Sequence, residues 1–379
     1  MADSLTNLLE SRRVIVCAGA GGVGKTTIAA ALALEGARRG LRVLCLTIDP
    51  AKRLADSLGI DPQSGAEHTI ARARLVEAGL EVSGSLVVMM LDTKRTFDEL
   101  ISRYAPSPEV RDRILANRFY RYVSTSLAGT QSYMAMEKVL AVKDDERFDL
   151  VVLDTPPTSD ALDFLDAPER LIEALDSAAM RWLVQAFERS GRLGLNLVAR
   201  GVATVLRSMG KLTGRGFLEQ MAEFLAELND MFGGFKERAA RVAAAFRAPE
   251  FAYALVTAPL PAALEEAQYF RLRLEQLGMS ADAIIVNRVH VVPASPPTAA
   301  EAASVAAEQR LSLDKSGVER LLAAALDETR EAEVETRELA RAGLAQPTNV
   351  KVLIRVPVMA GDVHDLPGLA RVGRAMFQA

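Results

Sequence analysis

The sequence predicts an α/β protein with a mostly parallel sheet, helices on both faces and a helical insertion. Short continuous apolar runs alternate with stretches of helix-forming residues, which is typical of parallel strands buried on both faces. A glycine-rich loop joins the first apolar run to the first helical stretch. Between residues 168 and 249, strand-like runs give way to apolar residues at helical spacing. We therefore predict a core formed by residues 1–167 and 250–379, with residues 168–249 inserted as a helical subdomain.

The remaining elements follow in chain order. We predict strands at Arg13–Cys17, 41–49, Leu86–Asp92, Asp149–Pro157, Phe251–Pro259, Ala283–Val289 and 350–357. We predict helices after the glycine loop, around Gln131–Val142, and through an Ala/Glu/Arg-rich stretch from about 297 to 343. The run PASPP at 293–297 predicts a loop or lid, because Pro and Ser do not continue a helix there. The apolar runs end in polar residues, at the sheet edge where open α/β sheets bind ligands.

Composition excludes several function classes. With 379 residues, a net charge of -4 and 50% hydrophobic residues, the chain is in the globular range, and it has no long basic run for nucleic acid. The start is unlike a signal peptide, and no uncharged apolar segment reaches roughly 18 residues, so we expect a cytoplasmic protein without stable membrane insertion. Cys17 and Cys45 are predicted to be buried core residues. The histidines, His68, His290 and His364, have no ligand-spaced partner and are predicted to lie on the surface or in loops.

The glycine loop carries the strongest motif. Residues 19–26 read GAGGVGKT, which fits G-x-x-x-x-G-K-[ST] between a predicted strand and a predicted helix. The amides of such a loop surround nucleotide phosphates, and the helix N-terminus adds a positive dipole. We expect the loop to bind ATP through Gly21, Gly22, Val23, Gly24, Lys25, Thr26 and Thr27. Lys25 is predicted to reach the β- and γ-phosphate oxygens, and Thr26 to hold Mg2+.

Two aspartates follow neighbouring predicted strands and are expected to point at the phosphates. Asp154 comes after LVVL and has the form of a Walker B acid, which binds Mg2+ through its water ligands. Asp49 is predicted to orient the attacking water, because phosphoryl transfer depends mainly on a positioned nucleophile and on charge neutralisation. The alternative for Asp49 is an Asp-Pro turn or a helix cap.

At these residues the chain resembles the ArsA-type branch of the deviant-Walker P-loop ATPases, which includes arsenite-pump and tail-anchored-protein-targeting ATPases. The resemblance rests on GAGGVGKTT, TIDPAKRLADSLG, DTPPT and IIVNRV and extends through most of the chain. It implies a Mg2+-dependent ATPase that works as a dimer, with Asp49 orienting water and Asp154 as the Walker B acid. It further implies that Asn287 binds adenine and that the loop after Pro357 closes over the base. The alternative for Asn287 is a turn former after a strand.

Three departures from the family pattern bear on function. Ala20 occupies the position of a signature lysine that reaches the partner subunit's nucleotide, so this cation is expected from an arginine or from a paralogous partner. In the second switch, Ser159 and Asp160 replace a small residue and a histidine. The arsenite-binding cysteines and the zinc-binding CxxC of the family have no counterpart. Arsenite transport and a zinc-clamped dimer are therefore not expected.

The predicted insertion corresponds to a family segment that binds a client's apolar helix or couples to a partner. Residues that would provide adaptable apolar contacts are Met180, Trp182, Leu183, Phe187, Leu218, Met221, Phe224, Leu225, Met231 and Phe232. The alternative is that this stripe packs helix on helix within the insertion, which is the ordinary role of an apolar helix face.

Three functional hypotheses remain. The first is an ATP-hydrolysing dimer, a homodimer or a heterodimer with a paralogous ATPase, that opens and closes a helical surface for a protein client. The second is a nucleotide-dependent binding scaffold with little hydrolysis, because Ala20 removes a cation. The third is a membrane- or DNA-positioning switch of the MinD and ParA kind. That device needs a basic amphipathic C-terminal helix, and the tail LPGLARVGRAMFQA contains only two arginines.

Overall fold

The computed structural model describes residues 5–48, 54, 58, 65–118, 120, 121, 124, 130–156, 164–176, 224, 236–291, 298–344 and 351–378. In these residues, eight strands form one sheet in the order β3-β4-β2-β5-β1-β6-β7-β8. They are β1 (Val14–Gly19), β2 (Arg42–Thr47), β3 (Glu67–Thr69), β4 (Ser85–Met90), β5 (Leu150–Asp154), β6 (Phe251–Thr257), β7 (Ala283–Val289) and β8 (Val352–Pro357). All neighbouring strands are parallel except β3 and β4. The predicted α/β class with a mostly parallel sheet is confirmed.

Helices connect the parallel strands and cover the sheet. They are α1 (Leu5–Ser11), α2 (Lys25–Arg38), α3 (Arg72–Glu77), α4 (Thr93–Tyr104), α5 (Pro108–Ala116), α6 (Thr130–Lys143), α7 (Ala167–Asp176), α8 (236–246), α9 (Pro261–Gln276), α10 (Ala299–Glu308), α11 (Lys315–Arg341) and α12 (Leu366–Gln378). Local signals fix several ends: the Asp92 carboxylate caps α4, and Ser107 caps α5 ahead of Pro108. Of the helices described, none has the length and apolar character needed to cross a membrane.

The core has one layer on each face of the sheet. Val14 and Val16 of β1 belong to the layer that contains residues of α4, α6 and α9. Ile15 and Cys17 belong to the opposite layer, with residues of α2 and α12. Because both faces are covered, the strands read as continuous apolar runs. The prediction that Cys17 and Cys45 are buried is confirmed, and burial raises the pKa of both thiols.

The structure differs from the sequence predictions at strand β3 and at 309–314, and it contains helices that were not predicted, namely α1, α3, α4, α5, α9 and α12. Strand β3 was not predicted, because its three residues are polar and pair only with β4 at the edge of the sheet. The prediction of one helical stretch from about 297 to 343 is wrong at 309–314. There α10 ends near Arg310, whose φ of 56° is left-handed, and α11 begins after Asp314. The Asp314 carboxylate accepts a 2.7 Å hydrogen bond from the Gly317 amide, so a new helix start is favoured.

The predicted insertion falls mostly outside the described residues. Of the apolar stripe, only Phe224 is described; it is buried, and its ring centroid lies 5.9 Å from that of Tyr120. The run PASPP at 293–297 also lies outside the described residues. The domain boundaries, the lid and the client surface therefore stay predictions.

The C-terminal helix α12 is packed against α2, the helix that follows the glycine loop. Leu369 and Met376 are fully buried, and the Arg39 guanidinium lies 4.6 Å from the centre of the Phe377 ring. The apolar face of this helix is thus covered by the core, which leaves no free apolar face to insert into a membrane surface.

Candidate functional site

The glycine loop lies where the strand order reverses. Strand β1 has β5 on one side and β6 on the other, so that β2 to β5 lie on one side of β1 and β6 to β8 on the other. Open α/β sheets bind ligands at the carboxyl ends of the strands at such a switch point. Residues 20–24 connect β1 to α2 there, so the sheet topology places the predicted phosphate loop at the expected ligand position.

The backbone of the loop is shaped as a cradle. Gly24 has a left-handed φ of 92°, and a Cβ added to it would lie 2.3 Å from the Asn287 amide nitrogen, so only glycine fits. Within the described residues, the backbone amides of Gly21 to Gly24 donate no hydrogen bond. Gly21 and Gly22 are exposed, whereas Val23 is buried and Gly24 half-buried. Amides of buried residues are normally satisfied, so the Val23 and Gly24 amides in particular are available to ligand oxygens.

Lys25 and Thr27 lie in the first turn of α2. The Lys25 side chain is buried, and its Nζ donates a 2.7 Å hydrogen bond to the carbonyl of Ala20, across the loop. Thr27 is half-buried in the same turn. The structure thus places a buried ammonium group inside the loop, beside the unused amides.

Asp154, the last residue of β5, accepts hydrogen bonds from one hydroxyl in the first turn of α2 and one at the end of β2. It is fully buried, and its Oδ2 accepts hydrogen bonds from Thr26 Oγ1 at 2.8 Å and from Thr47 Oγ1 at 3.0 Å. In the sheet register, Asp154 lies opposite Cys17 on one side and Thr47 on the other. A carboxylate and a hydroxyl are the hard oxygen ligands that Mg2+ prefers, so this donor set fits the predicted ion.

Thr47 was missed by the sequence reasoning. Its signal is a hydroxyl in the last position of β2, which is a neighbour of β5. The sequence does not show that β5 lies between β1 and β2, so the contact between Thr47 and Asp154 depends on the strand order.

Asn287 and Arg288, near the end of β7, contact the loop directly. Asn287 Nδ2 donates to the Val23 carbonyl at 2.9 Å, and Arg288 Nη1 donates to the Gly22 carbonyl at 3.2 Å. The Asn287 side chain is buried, whereas Arg288 is exposed. Arg288 was missed by the sequence reasoning, although it is part of the quoted run IIVNRV. The adenine contact predicted for Asn287 is not tested by these contacts.

Pro357 ends β8, which lies on the far side of β7 from β6. It is half-buried and faces Val289 in the register. The predicted closure of the following loop over a base stays a prediction. Asp49, Ser159 and Asp160 lie outside the described residues, so their predicted roles also stay predictions.

Comparison with known proteins identifies relatives of this chain. The profile of the anion-transporting ATPase (ArsA ATPase) family matches residues 12–315. The ATPase get3 of Aspergillus terreus is 29% identical over 235 residues, which cover 61% of this chain and 64% of that protein. The ATPase get3 of Schizosaccharomyces japonicus is 31% identical over 203 residues, covering 52% and 58%. A putative arsenical pump-driving ATPase of Chlorobaculum tepidum is 29% identical over 159 residues, covering 42% and 36%.

These matches span less than two thirds of each relative's own length. The family profile, in contrast, covers most of this chain, and it includes the glycine loop, Asp154 and the end of β7. The residues that bear the predicted phosphate and metal contacts all lie within the matched segment. The chain belongs to the anion-transporting, ArsA-type ATPase family.

Proposed function

We propose that this chain binds Mg2+ and ATP at the glycine loop and hydrolyses the nucleotide. One observation carries the proposal: the Asp154 carboxylate accepts a 2.8 Å hydrogen bond from the Thr26 hydroxyl, beside loop amides that donate to no described group. This pairing supports the proposal, because it brings the proposed metal ligands close to the proposed phosphate donors at the switch point of the sheet. In a loop with a purely structural role, the amides of the buried Val23 and the half-buried Gly24 would be satisfied within the protein.

Each residue of the site has a separate role in the proposed reaction. Bound ATP supplies the phosphoanhydride bond, and Mg2+ neutralises charge on its oxygens. Lys25 exchanges the Ala20 carbonyl for a phosphate oxygen, a stronger acceptor because it is charged. Thr26 and Asp154 would hold the metal, Thr27 and the amides of Gly21 to Gly24 would bind phosphate oxygens, and Asp49 would orient the attacking water. Asn287 and the loop after Pro357 form the adenine side of the site.

The wider cycle is part of the proposal. We place the protein in the cytoplasm as a homodimer, or as a heterodimer with a paralogous ATPase, in which hydrolysis opens and closes a helical surface for a protein client. One relative is named an arsenical pump-driving ATPase, but this chain's two cysteines are buried in the sheet, which disfavours arsenite as its substrate. The buried face of α12 disfavours a membrane-positioning switch.

A second candidate is a nucleotide-dependent scaffold with little intrinsic hydrolysis. The observation that favours it is Ala20, a buried residue without charge at the position where the family resemblance implies a lysine. A missing cation of the arginine-finger type costs about 10^3 to 10^5 in turnover. The scaffold would therefore bind ATP tightly and need a partner to release phosphate.

Steady-state ATP hydrolysis with Mg2+, measured beside the mass in solution with and without nucleotide, tests both candidates. Turnover with an ATP-stabilised dimer is the expected result. Asp49→Asn is expected to keep ATP bound and to lower turnover by about 10^2 to 10^4, the range for a positioned base. Normal turnover in this variant would remove Asp49 from the reaction. Tight ATP binding without turnover in the wild-type chain would favour the scaffold, and absence of binding would exclude both candidates.

A further inference from the structure

The end of β7 departs from regular strand geometry beside the glycine loop. Its pairing with β8 shifts register between Val286 and Val289, and Arg288 has a left-handed φ of 59°. In a regular strand, the consecutive side chains of Asn287 and Arg288 would point to opposite faces of the sheet. Here both side chains donate to the same loop. The irregular backbone therefore serves to bring two neighbouring donors to one target.

The two acceptors are consecutive carbonyls of the loop, those of Gly22 and Val23. In a planar trans peptide, the carbonyl and the next amide point in opposite directions. Holding the Gly22 carbonyl toward Arg288 therefore turns the Val23 amide away from β7, and holding the Val23 carbonyl toward Asn287 does the same for the Gly24 amide. These are two of the amides that donate to no described group.

The left-handed conformation of Arg288 is unusual for its setting. In the described residues, the other non-glycine residue with positive φ is Arg310, which lies just after the end of α10, a common place for that conformation. Arg288 instead lies within β7, one residue before Val289, the register partner of Pro357, and its side chain contacts the glycine loop. Such outliers persist where surrounding contacts hold them, and they cluster at ligand clamps.

We propose that Arg288 and Asn287 are positioning residues that hold the Gly22 and Val23 carbonyls, so that the Val23 and Gly24 amides are preset to bind phosphate. This inference rests on the proposed function and assigns the loop's geometry to β7. Binding costs less conformational entropy when the loop amides already point toward the ligand. The pair Asn287 and Arg288, which we call the clamp, therefore raises affinity for the phosphate chain. It acts on the phosphates whether or not a base is present.

The test measures displacement of a fluorescent ADP analogue from the full chain by ADP and, separately, by inorganic pyrophosphate, which has no base. Arg288→Asn removes the guanidinium and keeps a residue that tolerates left-handed φ. Arg288→Lys keeps a charged donor. Arg310→Asn is the matched control, because it removes the same side chain at a similar φ of 56° far along the chain. Thermal melting without ligand checks that each variant is folded.

We expect Arg288→Asn to weaken ADP and pyrophosphate alike, by about tenfold, as for loss of one charge-assisted hydrogen bond. Arg288→Lys should recover part of this loss, and Arg310→Asn should match the wild-type chain. Asn287→Asp, which cannot donate to the Val23 carbonyl, should also weaken pyrophosphate. If Arg288→Asn leaves pyrophosphate affinity unchanged while the wild-type chain binds it, the clamp is overturned and the proposed function stands. If the wild-type chain binds neither ligand, the proposed function fails, and the clamp with it.

Discussion

The two ends of the parallel strands use charged residues in opposite ways. We call the side of the sheet where the strands begin the amino edge and the side where they end the carboxyl edge. At the amino edge, Asp149 accepts hydrogen bonds from the Arg42 backbone amide at 2.8 Å and from the Arg42 guanidinium at 3.0 and 2.6 Å. This pairing lowers the pKa of Asp149 to about 2. At the carboxyl edge, the amides of Gly21 to Gly24 donate to no described group, and Asp154 accepts hydrogen bonds from the hydroxyls of Thr26 and Thr47. At the amino edge, charged side chains are neutralised by each other within the protein. At the carboxyl edge, the glycine loop has amides without a described acceptor, next to a buried carboxylate.

A second aspartate shows the same behaviour at the amino edge. Asp282, which precedes β7, is buried and accepts hydrogen bonds from the Tyr253 amide at 3.1 Å and from Lys351 Nζ at 3.0 Å. It also lies 3.5 Å from the Arg12 guanidinium. A buried carboxylate with several donors is satisfied and contributes to stability. Burial of an acid therefore does not mark a ligand site, whereas the nature of its partners does.

The largest expected difference between the edges concerns two lysines. Lys25→Ala should weaken ATP binding by at least about a hundredfold, because two charge-assisted hydrogen bonds to phosphate are each worth about 1.5 kcal/mol or more. Lys351→Ala is the matched control at the amino edge, where the side chain is 43% exposed and pairs with Asp282. It should leave ATP affinity unchanged. Isothermal titration of both variants with ATP and Mg2+ checks the contrast, and equal losses would show that the edges do not differ as described.

Two aspartate variants, one at each edge, should differ in their effect: one changes the Mg2+ dependence of nucleotide binding and the other changes stability. Asp154→Asn should remove most of the Mg2+ dependence of nucleotide binding, since the amide replaces a charged ligand. Asp282→Asn should leave it intact and lower the free energy of unfolding by about 1–3 kcal/mol, because buried donors lose a charged acceptor. Mg2+ titration of ATP binding and urea denaturation, each applied to both variants, measure the two effects. A Mg2+ defect in the Asp282 variant would contradict this division.

The contrast also shows what the sequence allowed us to predict. The strands were predictable because continuous apolar runs such as VIVCA report burial on both faces, and the loop motif placed the phosphate site between β1 and α2. Strand β3 and the break at 309–314 have no such pattern. The contacts of Thr47 and Arg288 depend on strand order and on a register shift between β7 and β8. Those features arise from tertiary packing, so local spacing does not reveal them.

A smaller effect is expected from Thr47, whose hydroxyl links β2 to the acid of β5. Thr47→Val keeps the shape of the side chain and removes the 3.0 Å hydrogen bond to Asp154. A single neutral donor is worth about 0.5–1.5 kcal/mol, so the apparent Mg2+ affinity in the ATP complex should change by a few-fold to about tenfold. Thr69→Val, on the edge strand β3, is a matched control that should have no effect. An unchanged Mg2+ affinity in Thr47→Val would show that this hydroxyl does not orient the acid.

The smallest expected effect concerns His290, a carboxyl-edge residue whose partners lie within the protein. Its Nδ1 and backbone amide each lie 2.8 Å from the Glu335 carboxylate of α11, and its Nε2 lies 3.5 Å from Glu331. The hydrogen bond with Glu335, together with the charges of Glu335, Glu331 and Glu328, raises the pKa of His290. His290 is thus an exception at the carboxyl edge, because it lies just beyond β7 and its partners are carboxylates of α11.

Because the folded-state pKa of His290 is raised, its contribution to stability is fully present below the unfolded value of about 6.5 and is lost as pH rises through the folded value. The pair is partly exposed, so the change should stay below about 1 kcal/mol. Hydrogen exchange of the α11 amides between pH 5.5 and 8.5, corrected for the intrinsic pH dependence, should show protection that falls across this window. Glu335→Gln should flatten the change, since the neutral amide no longer favours the protonated ring. A pH-dependent loss of equal size in Glu335→Gln would show that another group titrates, and that His290 does not hold α11 to the end of β7.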